Sequence, residues 1–372
     1  MIVIGLGALG SAASYWASRR GLRVLGLERF ELGHARGASE DHSRIIRLTY
    51  PTVDYLRFAQ GAFDAWSEIE RESDERIVLR TGGLDLFPVE GADDPDQYAA
   101  VMDEDGVAYE RLDAAEVIGR WPQWQLPPDL RAIFQPDAGV VAASLANATH
   151  RRLATARGAE LLGDTPVRTI AADGDGFEVR TDAETYRCAS LVVTADAWTN
   201  EVLAPLGVRF PLRVRQEQVT YFDAPDVAPF EPGLFPVWIW HSDLHAYGLP
   251  NFGLPGPKVA LHGGGPETTG DTRTFEPDPA YAAAVEAFVA EHLPSALGPP
   301  LDVKTCLYTL TPDAHFVLDR VPGQRSAVVG LGTAHAFKFA SVFGKALVEL
   351  AVDGASEWAV ERFSATRRAL SP

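Results

Sequence analysis

Lysine is scarce in this 372-residue chain: of 33 basic residues only Lys258, Lys304, Lys338 and Lys345 are lysine, the rest being arginine. Ordinary positive charge is thus written as arginine, and each remaining lysine becomes a candidate for chemistry that suits a compact ammonium rather than a guanidinium. Cysteine is scarcer still. Cys188 and Cys306 are the only two, without C-x-x-C spacing, which excludes a disulfide framework and offers no cysteine-built metal site. No apolar run approaches the roughly 20 residues that span a bilayer, and the N-terminus has no basic segment followed by an apolar stretch and a cleavage site. We expect a cytoplasmic protein with no membrane partner. The net charge of −18 repels nucleic acid and anionic surfaces, so an anionic substrate requires a local basic pocket.

What the chain does have is apolar and aromatic content of 46% and 10%, enough for a sizeable core and two domains. It opens with MIVIGLGALGSAASYWASRRGLRVLGLERF, read as a short strand, a glycine turn, a helix of about 12 residues and a strand from Leu22 to Leu27. Gly5, Gly7 and Gly10 form G-x-G-x-x-G in this βαβ setting. The first glycine permits the tight turn, the second lets backbone approach a pyrophosphate, and the third allows close helix–strand packing. Glu28 closes the second strand, placed to accept hydrogen bonds from a ribose. Together these features predict dinucleotide binding. Because the first strand begins at the second residue, we expect a few further residues ahead of it in the natural protein.

Later segments alternate in texture. VVAASLANATHRRLATARGAEL is helix-like, and GFEVRTDAETYRCASLVVTADAW reads as paired strands followed by a buried one. RVRQEQVTYF, PVWIWHSDLHAYGLP and PKVALHG alternate as antiparallel strands do. Asp278 as N-cap with Pro279 in the first turn predicts a helix closed by Pro294. VKTCLYTLTPDAHFVLD and SAVVGLGTAHAFKFASVFGKALVELAV read strand, strand, glycine loop, helix. The expected fold is α/β, a Rossmann-type βαβ domain from residues 1–80, 141–212 and 312–372 plus a smaller α+β domain with a mainly antiparallel sheet from 81–140 and 213–311.

Four separated segments carry candidate chemistry. GASEDHSRIIRLTY contains Ser43, Arg44 and Arg47; by themselves the two arginines, three apart, also fit a solvated helix face. AYGLPNFGLPGPKVALH sets Tyr247, Lys258 and His262 in sequence; a strand-edge lysine and a core histidine are the plain alternatives. TCLYTLTPDAHFVLD holds Cys306, otherwise a small buried residue on a strand, whereas Cys188 has no such company and reads as structural. GLGTAHAFKFASVFGKALVEL runs a glycine loop into a helix past Lys338.

In this order and nearly in spacing, the segments resemble the monomeric sarcosine oxidase and N-methyltryptophan oxidase family of FAD-dependent amine oxidases, over almost the whole chain. The resemblance implies FAD, attached through a thioether to Cys306, with Gly5, Gly7, Gly10, Glu28, Arg29, Ser43, Arg44, Val167, Trp198, Gly332, His335 and Lys338 also at the cofactor. It implies a catalytic set of Lys258, His262, Tyr247 and Arg44, with Lys258 beside the flavin where its charge assists electron transfer to oxygen. It places Arg47 and Lys338 on the carboxylate of an amino acid substrate, with Tyr247 and Trp238 completing the pocket. It further implies a monomer that needs no metal, oxidises N-methyl or cyclic amino acids and releases hydrogen peroxide. Four positions depart from the family. Ser39 and Glu40 replace paired histidines, Ala334 replaces a glycine, and Trp238 replaces a slimmer side chain. A D-amino-acid or glycine oxidase, or a tailoring enzyme acting on a cyclic imino acid, is the alternative within flavin chemistry. A nicotinamide dehydrogenase would share the first motif but have no use for Cys306, and a nucleotide-binding scaffold would use none of the four segments.

Overall fold

The computed structural model describes residues 1–370. The opening folds as strand Ile2–Ile4, helix Ala8–Arg19 and strand Leu25–Leu27, the two strands pairing in parallel with Ile2 opposite Leu25. The second strand starts three residues later than expected because Leu22 N–H returns to Ala17 O to close the helix. Glu160–Leu162 lies beyond Leu25–Leu27, while Leu191–Val193 and Ala327–Leu331 extend the sheet in parallel on the other side. Val317–Arg320 joins at the edge, antiparallel. Against this sheet the helix Ala8–Arg19 packs with Ala143–Ala156 and Ala340–Val352. Small residues make the approach possible: a Cβ on Gly344 would lie 2.5 Å from Ala13 N.

A second sheet has nine strands, all within 83–135 and 213–310. Its neighbours run antiparallel except Gly83–Phe87 beside Val237–Trp240. The helix Pro279–His292 starts where the sequence predicts, Asp278 accepting from Ala280 N–H at 2.8 Å, and ends just before Pro294. It covers one face, with Phe288 stacked on Trp238. Pairing register decides which residues share the other face, since directly opposite residues point the same way and neighbours along a strand point apart. Ile239 is opposite both Asp85 and Tyr247, Tyr221 opposite Lys258, and Glu217 opposite Cys306. One face of one sheet therefore gathers Asp85, Tyr247, Lys258 and Cys306.

A small sheet pairs Ser43–Ile46 and Val78–Arg80 with Gly139–Ala142. Its Ile45 packs with Val237 and Leu249 of the nine-stranded sheet, and its Ile46 joins the core that holds the first helix. This bridge carries Arg44 and Arg47. The whole is a mixed α/β protein with a Rossmann-type βαβ unit and a second, mainly antiparallel sheet, as the sequence predicts. Among the described residues no helix is long and apolar enough to cross a membrane.

Candidate functional site

One cavity of about 610 Å³ runs from the glycine turn at residues 5–9 to His262 and Lys338. At the turn its wall is backbone. Gly5 has φ +88°, and a Cβ there would come within 2.6 Å of Thr194 O; one on Gly10 would lie 1.8 Å from Gly5 O. Gly10 is thus a packing residue set back from the cavity, as the motif requires. The helix that follows has no acidic residue in its first turn, so its N-terminus is free to favour an anionic group. Ser39 replaces an absent cap, its Oγ accepting from Ala8 N–H at 2.9 Å.

Glu28 lines the same end. Its Oε2 accepts from Leu6 N–H at 2.7 Å and its Oε1 lies 3.2 Å from His34 Nε2. Burial disfavours the ionised form, but these hydrogen bonds outweigh it and hold the carboxyl below its ordinary range. Arg29 pairs with Glu201 and Asp271, and Trp198 donates to Asp271 at 2.8 Å. Both residues, with Val167, wall this end. Bare glycine backbone, a helix head with no acid in its first turn and a buried acid fit the pyrophosphate and ribose of a dinucleotide.

The other end is built from side chains. Lys258 is 1% exposed; its Nζ donates to the Asp41 carboxylate and, at 3.0 Å, to Ser43 O. Burial lowers its pKa to about 8, against the pull of Asp41. Arg44 lies on a strand rather than a helix, donating to Asp41 Oδ2 at 2.7 Å and to Ala38 O at 3.1 Å. Cys306 lines the cavity on the same face, where burial pushes its thiol up, partly countered by Arg44 and Lys258. Tyr247 is beside it. His262 is neutral, brought down to about 4 by burial and then by Lys338, with Nδ1 3.3 Å from Tyr308 Oη.

Arg47 and Lys338 both reach the cavity, but differently. Arg47 is ion-paired with Asp85, which also faces His241 Nε2 at 2.8 Å, while His241 Nδ1 lies 2.8 Å from Asp93. Lys338, on the turn Phe337–Phe339 ahead of the helix Ala340–Val352, has no carboxylate partner among the described residues. Burial first, and then Arg47, lowers it to about 7. Gly332 and His335 line the wall beside it. Ala334 takes φ +75° and Thr333 φ +35°, a left-handed backbone that costs roughly 1–2 kcal/mol per non-glycine residue, so the loop keeps a glycine-like path without glycine.

Besides Gly10, two expected site residues lie outside the wall. Trp238 is directly opposite Gly248 on the far face of its strand. There it stacks on Phe288 and meets Trp124 edge-on, 1% exposed and away from the cavity. The side chain of Ser43 is buried behind the wall, and the residue contributes through its carbonyl. Conversely, Asp41, Asp85, His241 and Tyr308 were not read from the sequence. Asp85 had a visible signal, a lone acid inside the apolar strand GLDLF.

Residues 1–350 match the family described as DAO, FAD dependent oxidoreductase. Monomeric sarcosine oxidase of Streptomyces avermitilis is 33% identical, covering 100% of this chain and 98% of its own. That of Bacillus sp. strain NS-129 is 31% identical, covering 100% and 97%. Among solved structures, NikD, described as an unusual amino acid oxidase essential for nikkomycin biosynthesis, superposes in its open form with a TM-score of 0.85. It is 26% identical and covers 98% of this chain and 96% of its own.

Proposed function

Since the chain belongs to the FAD dependent oxidoreductase family, we propose that it oxidises secondary amino acids, N-methyl or cyclic, to imines with oxygen as acceptor and hydrogen peroxide as product. The observation that carries this reading is the convergence on one cavity of a dinucleotide cradle, Cys306, Lys258 and an unpaired cation, Lys338. When bound, FAD accepts the hydride equivalent from the carbon beside the amine nitrogen and passes the electrons to oxygen. Gly5, Gly7, Glu28, Arg29, Val167, Trp198, Gly332 and His335 would hold it, and Cys306 would attach to it as a thioether that replaces the thiol S–H and one methyl C–H of the ring, the two electrons going to the flavin and then to oxygen.

The protein supplies binding, orientation and charge. Lys338 takes the substrate carboxylate, joined by the Arg47 guanidinium that Asp85 fixes in place. Holding the half-buried Lys338 ammonium charged without a carboxylate partner among the described residues is costly, and a substrate anion relieves that cost. His262, kept neutral by burial and by Lys338, lines with Tyr247 the space where the amine sits. Lys258 keeps a buried positive charge for the oxygen step, where a fixed charge in a dry site is worth more than in water. The name of the monomeric sarcosine oxidases supports a single-chain enzyme.

Peroxide release measured against a panel of N-methyl, cyclic and primary amino acids tests the reaction. Turnover of secondary amino acids is expected; turnover of primary ones alone would replace this reading by the glycine-oxidase-like one. Acid precipitation tests attachment. Wild-type protein should keep its yellow colour in the pellet and Cys306→Ala should lose it to the supernatant; colour released from both would leave the cofactor non-covalent.

A further inference from the structure

Asp41 lies in the loop between the strands Leu25–Leu27 and Ser43–Ile46, 5% exposed. Each carboxylate oxygen has two partners. Oδ2 accepts from Lys258 Nζ and from Arg44 Nη1 at 2.7 Å, and Oδ1 from Tyr221 Oη at 2.7 Å and His42 N–H at 2.8 Å. A carboxylate has about four acceptor positions, so this one is saturated, and it ties together three segments far apart in the chain. The groups that face Lys258 are Asp41, Arg44, Cys306 and the Tyr221 ring at 5.6 Å, with Lys304 across that ring at 5.7 Å. Among the described residues Asp41 is the only carboxylate in contact with Lys258. Three cations share this one anion: Lys258, fully buried, Arg44, its side chain 20% exposed, and Lys304, its Nζ 3.8 Å from Oδ1.

We propose that Asp41 is a positioning residue that fixes the Lys258 ammonium in the cavity and keeps it protonated beside Arg44. Without the carboxylate, burial and the guanidinium would both act to strip the proton from Lys258, and only the Ser43 carbonyl would still hold its Nζ. Arg44 cannot compensate, because it repels the ammonium and does not itself titrate. The ionisation claim stands on this geometry alone; only its consequence for oxygen rests on the function proposed above.

With only four lysines in the chain, holoenzyme labelled at the lysine Cε carbon gives four side-chain signals, and Lys258→Arg assigns the one of interest. Titrated by NMR, Lys258 in Asp41→Asn should lose proton affinity about 10- to 1000-fold, the effect of removing an opposite charge at contact. Asp41→Glu, its carboxylate kept but displaced, should fall between Asn and wild type. A Lys258 titration unchanged in Asp41→Asn overturns the proposal; should Asn not fold, an unchanged titration in Asp41→Glu overturns it. Reoxidation of the reduced flavin by oxygen, followed over pH, should decline at a lower pH in Asp41→Asn than in wild type, in step with the NMR curve. If Lys258 shifts and reoxidation does not, the positioning role holds and the oxygen role of Lys258 fails.

Discussion

At the turn end of the cavity much of the ligand-facing surface is backbone, supplied by residues 5–9 at the head of one helix; at the far end it is side chains from the small bridging sheet, five strands of the nine-stranded sheet and the loop before the last helix. The first surface can be read from a short local stretch, because glycine spacing, strand and helix specify it together. The second exists only after strands distant in sequence take one register. Its charges are also treated differently. Glu28 is held by neighbours within the same end of the fold, whereas Lys258 and Arg47 depend on Asp41 and Asp85, acids contributed by other segments, and Arg44 shares the Asp41 that stands three residues before it.

The largest effect should follow from removing a fixed charge at the far end. Lys258→Met should slow reoxidation of the reduced flavin by about 100- to 1000-fold, the usual cost of a preorganised charge, while anaerobic reduction changes little. Stopped-flow spectroscopy separates the half-reactions, and an equal loss in both would make Lys258 a structural residue. Next is the pH response of substrate binding. Lys338 is charged below about 7 and loses its charge above it, so KM for an amino acid should rise as pH climbs through that value. Lys338→Arg, which stays protonated, should flatten the rise. A KM profile identical in both proteins would move the titration to another group. The smallest effect belongs to Trp238. Trp238→Phe should leave KM within about twofold although it loosens the packing on Phe288; a substantial change in KM would return that residue to the pocket.

These contrasts explain which features the sequence disclosed. Gly5, Gly7, Gly10 and Glu28 lie in one contiguous βαβ stretch, and the helix at Pro279 carries its own cap, so both were legible. Tyr247, Lys258 and Cys306 were found by resemblance, and their shared face follows from strand alternation. Trp238 was misplaced for want of the same argument: Ile239, not Trp238, has the parity of Tyr247. The hidden residues are those whose role comes from a partner. Asp41 gains meaning only when the loop meets Lys258 across 217 residues of sequence, and Asp85 and His241 only when parallel strands bring them to Arg47. The strained Thr333–Ala334 turn is visible in the sequence as a missing glycine but not as left-handed backbone.

The account turns on Lys338 and Arg47 holding the substrate by its acid end. The direct measurement is anaerobic flavin reduction by a turned-over N-methyl amino acid and by its methyl ester, in wild type and in Lys338→Met. In wild type the ester should be worse by about 2–4 kcal/mol of transition-state stabilisation, the scale of losing one partner of a buried charge pair, and Lys338→Met should erase most of that preference while the oxidised flavin spectrum stays native. If the variant still prefers the free acid as strongly as wild type does, another group holds the carboxylate and the proposed site is wrong at its centre.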